Sequence, residues 1–235
     1  MIILAMDTSA KAASVCLADE DKIIGEFFIN TGLTHSQTLM PMAEQLCANS
    51  GIPISAVEAV AVNAGPGSFT GVRIGVAAAK GLAFKNSLPC VAVSTLESMA
   101  YNFLGFDGIV CALMDARCSQ VYNAMFRVRG ETVERLCGDR AISLSDLKLE
   151  LQNNTEKTVL VGDGAAICSK SLENPPENVF LAPVNKINQT ASGVACAAFK
   201  LIKQGLTLSP AELMPMYLRL PQAQRELNKR MGVTT

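Results

Sequence analysis

The sequence contains no tryptophan, and only 3 tyrosines and 9 phenylalanines in 235 residues. So thin an aromatic supply argues against a carbohydrate-stacking groove or a base-stacking platform for single-stranded nucleic acid. Histidine is represented once, by His35. A zinc or iron site built mainly from imidazoles therefore cannot form within the chain, and HExxH metalloprotease chemistry is excluded. No glycine turn ends in GK[ST], so a Walker A loop is missing. No CxxC pair occurs either, and of the 8 cysteines Cys16, Cys47, Cys90, Cys111, Cys168 and Cys196 lie inside apolar runs, where a thiol behaves as a small hydrophobe. No apolar run is long enough to cross a bilayer, and Met1 opens directly onto IILAM rather than onto a leader. These absences lead us to expect a cytoplasmic protein with reduced thiols and no membrane contact. The formal net charge of −1 gives no reason to expect strong non-specific nucleic-acid binding.

What is present is a pattern written twice. Residues 2–7, IILAMD, form an apolar run that ends in a carboxylate, followed by a small turn, the strand SVCLA, a charged turn and a third strand, IIGEFFI. From Ile109 the chain reads IVCALMD, a turn, QVYNAMFRV, a second charged turn and another strand beginning at Thr132. Asp7 and Asp115 thus close corresponding strands, about one domain apart. Both halves go on as strands alternating with amphipathic helices. In the first helix Leu39, Met42, Leu46 and Cys47 recur at spacings of three and four before Gly51. Two α/β lobes are expected, residues 1–104 and 105–235, with the boundary near 105–108. Paired strand-ending aspartates across two such lobes resemble the actin, Hsp70 and sugar-kinase fold, whose cleft holds ATP. On that reading Asp7, Thr8, Ser9, Asp115, Gly162, Asp163 and Gly164 mark a vestigial nucleotide cleft. The first hairpin turn offers Ala10, Lys11, Ala12 and Ala13 where a phosphate-wrapping turn needs glycines, so nucleotide binding there is disfavoured.

The stretch NAGPGSFTGVRIGVAAAKG, residues 63–81, runs from a strand through a glycine turn into a helix. Ser68 or Thr70 can cap that helix, and its free amides can hold an anion. Arg73, read as lying in the first turn of this helix, opposes the helix dipole, so an anionic partner is expected beside it, either a carboxylate of the same fold or a phosphate. Gly71, Gly75, Ala78 and Ala79 form a stripe of small residues that lets another backbone approach, either the protein's own sheet or a second subunit. His35, at the start of its helix, reads as a capping or interface residue. Charge is uneven: the first 60 residues are acid-rich, whereas Lys200, Lys203, Arg219, Arg225, Lys229 and Arg230 face only Glu212 and Glu226. Ordinary solvated faces explain this, and a docking edge for RNA or an acidic partner is the alternative. For LRLPQAQRELNKR two expectations stand, a helix packing back on the first lobe or a segment that helps to hold tRNA.

MDTS, HSQTLMP, NAGPGSFTGVRIG, VSTLE, MDARCSQVY, VGDGA and PMYLR, in this order along essentially the whole chain, resemble the TsaB family, also called YeaZ. The resemblance implies the actin-like fold and a non-catalytic scaffold role in forming N6-threonylcarbamoyladenosine beside the anticodon of ANN-decoding tRNAs. It implies pairing with the catalytic paralogue TsaD, binding of the ATPase TsaE to that pair, an adenylate supplied by TsaC, and a homodimer when TsaD is missing. It also implies that tRNA is met through the complex. No cofactor is implied for this chain, with a nucleotide at a subunit interface left open. TsaD holds its metal through His-x-x-x-His, and the matching positions here are Thr95 and Met99, so no metal is expected. The docking surface implied comprises His35, Leu39, Met42, Gly71, Arg73, Gly75, Ala78 and Ala79. The competing expectation is an enzyme of the same fold, an ATP-dependent small-molecule kinase or a glycoprotease-like peptidase.

Overall fold

The structure is a computed structural model, and it describes residues 1–172 and 174–219. The basic stretch expected to form a last helix lies, from residue 220 on, outside the described residues. The first half contains β1 (Ile3–Asp7), β2 (Ala13–Ala18), β3 (Ile23–Ile29), α1 (His35–Ser50), β4 (Ala59–Gly65), α2 (Phe69–Phe84), β5 (Cys90–Ser94) and α3 (Thr95–Tyr101). The second contains β6 (Asp107–Asp115), β7 (Gln120–Arg129), β8 (Thr132–Arg135), β9 (Arg140–Ser143), α4 (Leu144–Asn153), β10 (Thr158–Val161), α5 (Ala165–Ser171), β11 (Val179–Leu181) and α6 (Ala191–Lys203).

The repeat read from the sequence is present in the strand pairing. The first sheet runs β3-β2-β1-β4-β5 and the second β11-β10-β6-β7-β8, with β9 also on β7. In each, a central strand pairs antiparallel with its hairpin neighbour and parallel with the strand that follows the first helix of its half. β6 therefore stands where β1 stands, and Asp115 where Asp7 stands. The third strand of the second copy is split into β8 and β9.

β1, β2 and β4 are buried along their whole length because helices cover both faces of their sheet. On one face Leu4, Met6, Val60 and Val62 pack against Leu39, Met42 and Leu46 of α1 and Val72, Val76 and Ala79 of α2. Gly51 ends α1 in the left-handed conformation, where its amide bonds back to the last turn. On the other face Ile3, Ala5, Ala59 and Ala61 join Leu96 and Met99 of α3 and Val194 and Ala198 of α6. The same apolar cluster continues into Val110, Ala112 and Phe126 of the second sheet. Each half lends a helix to the other: α3 packs on β6, β7 and β8, and α6 packs on β1, β2, β4 and β5. This α3–α6 layer places the C-terminal ends of β1 and β6 on opposite sides of one cleft.

Candidate functional site

The glycine turn after β4 closes onto the β1–β2 turn. The Ser68 amide donates to the Ser9 carbonyl at 2.6 Å, and the Thr8 hydroxyl donates to the Gly71 carbonyl at 2.7 Å. A Cβ at Gly67 would overlap the Ser9 carbonyl, and one at Gly71 the Thr8 carbonyl. The glycines are there because two backbones meet at contact distance. Ser68 caps α2 by accepting from the Gly71 amide at 3.3 Å. The β1–β2 turn, where an ATPase of this shape would wrap phosphate, is thus partly occupied by the chain's own backbone.

Asp7 lies beneath this clasp and is fully buried. Its Oδ1 accepts from the Ser9 hydroxyl at 2.6 Å, the Asn63 amide at 2.7 Å and the Ser9 backbone at 3.2 Å, while Oδ2 is buried without a partner. Burial raises its pKa above the ordinary value, against the pull of the Ser9 and Asn63 hydrogen bonds and the nearby His35. A magnesium-bound water needs an open carboxylate edge, and Asp7 does not line the cleft.

The cleft itself has a volume of about 720 Å³, with Ser9, Lys11, His35, Ser68, Asp115 and Asp163 among its walls. Asp115 is exposed, and its carboxylate accepts from the Arg117 amide at 2.7 Å. Asp163 accepts from the Asp115 amide at 3.2 Å. Desolvation in the concave wall, with the charges of Asp115 and Asp7 adding to it, lifts the Asp163 pKa to about 6. Because Asp163 stays accessible to solvent, that lift bears on protonation in the cleft and is not counted toward stability. Cβ atoms at Gly162 and Gly164 would collide with the β6 backbone at Leu113 and Met114, so this turn packs against β6 and exposes only Asp163.

His35 joins α1 to the β1–β2 turn: Nε2 lies 2.7 Å from the Ala10 carbonyl and therefore carries the proton, and Nδ1 is buried without a partner. Thr95 and Met99, the positions the resemblance sets against the paralogue's metal ligands when Glu97 marks the register, are fully buried, with the Met99 sulfur packed against Gly162. A hydroxyl and a thioether sealed in an apolar layer do not fit a catalytic metal that needs an open coordination position. Among the described residues no cluster of three or more His, Cys, Asp or Glu side chains could hold a metal.

The structure corrects two expectations. Leu39 and Met42 are 1% and 5% exposed, Ala79 is fully buried, and Gly71 and Gly75 face Thr8. These five positions pack inside the chain and cannot touch a partner directly, because the small stripe fits α2 to its own β1. The accessible positions of that set are Arg73 and, half-buried, His35 and Ala78. The outer surface of these helices instead presents Met40, Ala77, Gly81 and Phe84, the last 76% exposed, with Leu33 before α1 at 59%. The second correction concerns Arg73. It is the fifth residue of α2, beyond the first turn, and among the described residues it has no carboxylate beside it. Its guanidinium lies 3.8 Å from the Phe69 ring centroid, and Nε donates to the Tyr217 hydroxyl at 2.8 Å. Tyr217, 148 positions from Phe69, carried no signal in the sequence that could have revealed this pairing.

Tyr217 belongs to an irregular segment, residues 206–219, laid over the first lobe. Leu208 bridges to Cys90, the Met216 amide donates to the Ala64 carbonyl, and Lys80 donates to the Ala211 carbonyl. Arg219 then reaches across the cleft to the Ala116 carbonyl at 3.1 Å.

Two copies of one sheet, with equivalent strand-ending aspartates across a cleft, define the two-lobed actin-like ATPase fold. Comparison with known proteins narrows this class. The family model for TsaD, tRNA N6-adenosine threonylcarbamoyltransferase, matches residues 30–226. The chain is 31% identical over 225 residues to the tRNA threonylcarbamoyladenosine biosynthesis protein TsaB of Bacillus subtilis, covering 95% of this chain and 96% of that one. Identity to the TsaB of Haemophilus influenzae is 32%, covering 93% and 94%. A crystal structure from Pseudomonas aeruginosa, of an uncharacterized protein with similarity to peptidase YeaZ, superposes with a TM-score of 0.81 at 27% identity, over 93% of this chain and 99% of that one. The chain belongs to the TsaB family.

Proposed function

We propose that this protein is a non-catalytic scaffold subunit of the machinery that forms N6-threonylcarbamoyladenosine at position 37 of ANN-decoding tRNAs. It pairs with and stabilises a TsaD-type transferase, and the pair then receives a TsaE-type ATPase. One observation supports the reading: the carboxylate at the end of β1 is sealed beneath the chain's own glycine turn, and Thr95 and Met99, which the resemblance sets against the paralogue's ligands, are buried in the apolar layer. A frame closed in this way offers its outer surface rather than its cleft. The docking face is the exposed side of α1 and α2, with His35, Arg73 and Ala78 joined by Leu33, Met40, Ala77 and Phe84, an apolar patch of the kind that partners cover. The two lobes share the α3–α6 layer.

The test is an omit-one reconstitution with a TsaD-type transferase, a TsaE-type ATPase, a TsaC-type adenylate supply and tRNA. Modification should collapse when this chain is left out, and the chain alone should modify nothing. Full modification without it would refute the scaffold reading. Turnover of ATP or a peptide by the chain alone would favour the enzyme reading instead.

A further inference from the structure

The surroundings of Arg73 lead further. Its guanidinium lies on the Phe69 ring, its centre is 5.7 Å from the Tyr217 ring, and those two rings stack at 4.5 Å. Nε is committed to the Tyr217 hydroxyl. The two terminal nitrogens have no hydrogen bond to any described residue, and the residue is exposed. An arginine normally spends rotamer freedom to form a planar two-pronged contact, and here the stack and the Nε bond have already fixed the plane. The residue is therefore prepared for a bidentate acceptor that the described chain does not supply.

Three observations choose the acceptor. Phe69, Thr70 and Ile74 line the cleft and Arg73 is not among its walls, so its open donors are not part of the cleft lining. The neighbouring surface is largely apolar, with Tyr217 at 44% exposure, Met214 at 62% in the same segment and Ala77 one turn on, which suits a partner's side chains better than a phosphate backbone. Finally, α2 carries Arg73 and Lys80 and no acidic residue. Packing α2 on α2 of a second copy would set cations against cations, a penalty that a partner with an acidic residue avoids.

We infer that Arg73 receives an aspartate or glutamate side chain from the TsaD-type subunit, and that Phe69 and Tyr217 hold it ready. Residues 206–219 thereby become part of the docking face. This rests on the scaffold reading above, and the experiment separates the two. Binding of the full chain and its variants to a TsaD-type subunit is measured by calorimetry, with melting temperatures recorded alongside. Arg73→Ala should weaken binding by about 10- to 50-fold, as expected for an arginine anchor at the centre of an interface, with its melting temperature essentially unchanged. Arg73→Lys should recover little, since it keeps the charge and loses the planar pair of donors. Tyr217→Phe keeps the ring and removes the acceptor that fixes Nε, so a loss of about two- to fivefold is expected. Equal binding by wild type and Arg73→Ala overturns the inference and leaves the scaffold reading standing. No binding by wild type overturns both. Unchanged protein affinity with weakened tRNA binding would assign these donors to phosphate and overturn the carboxylate partner.

Discussion

Replacing Asp7 with asparagine should make the protein more stable at neutral pH. The carboxylate is fully buried, Oδ1 receives three hydrogen bonds and Oδ2 receives none. Asparagine keeps the accepting oxygen in place and removes the charge. It also brings an amide donor into a region where Asn63 Oδ1 has no partner. A buried polar atom left unpaired costs about 1–3 kcal/mol, so a gain of that order is expected near pH 8. For a chain of this size that is roughly 2–10 °C in melting temperature. The sign with pH follows from linkage. The folded pKa lies above the ordinary 3.8, so the native state holds its proton where the unfolded chain has released it. Asp7's contribution to stability is full below that ordinary value and is lost as pH rises through the folded pKa. The advantage of Asp7→Asn should therefore be greatest at mildly alkaline pH and vanish near pH 4. Thermal melts across that range decide it. A variant that is less stable at about pH 8, and equal or better in acid, would show that the three charge-assisted bonds to Oδ1 outweigh desolvation, and the reasoning would be wrong.

Further outcomes are expected. Gly75→Leu should cost about 1–3 kcal/mol in urea unfolding, because its side chain would run into Thr8 and Val62; a stable variant that fails only in partner binding would return the small stripe to the interface. Arg135→Ala should lower stability by about 1–2 kcal/mol in denaturant titrations, since Arg135 ties Glu97 of α3 to Asp139 and lies 4.7 Å from the Phe126 ring centroid; no change would mean that these two ion pairs add nothing to the join between the halves. In the native protein Cys118, the exposed thiol, should react first with an aromatic disulfide reagent, whereas Cys16 and Cys111, buried and with pKa values pushed far up by desolvation, should react only on unfolding.

Much of this architecture was legible because burial on both faces writes continuous apolar runs. IILAMD and IVCALMD advertise equivalent central strands, and the spacing of Leu39, Met42, Leu46 and Cys47 gives α1 its inward face. β9 and β11 gave no such signal. They are short, and β9 includes Arg140, which spends its charge on Glu150 and Asn123 at the sheet edge. The glycine turn was legible as a close approach but not as to what approaches: only the fold brings Thr8 and Ser9 to Gly71 and Gly67. The same limit applied to Arg73. The local reading called for an anion beside it, whereas Phe69 on one side and Tyr217 from the far end of the chain hold it instead.

The most direct test of the account is a tRNA-modification assay with the complete set of proteins, in which this chain carries Asp7→Asn, Asp115→Asn and Asp163→Asn together. These three are the strand-end and cleft-wall carboxylates that an enzyme of this fold would use. The account predicts modification at the wild-type rate, because the chain contributes a surface and not a reaction. Loss of modification while the complex still assembles would place chemistry in the cleft and contradict it.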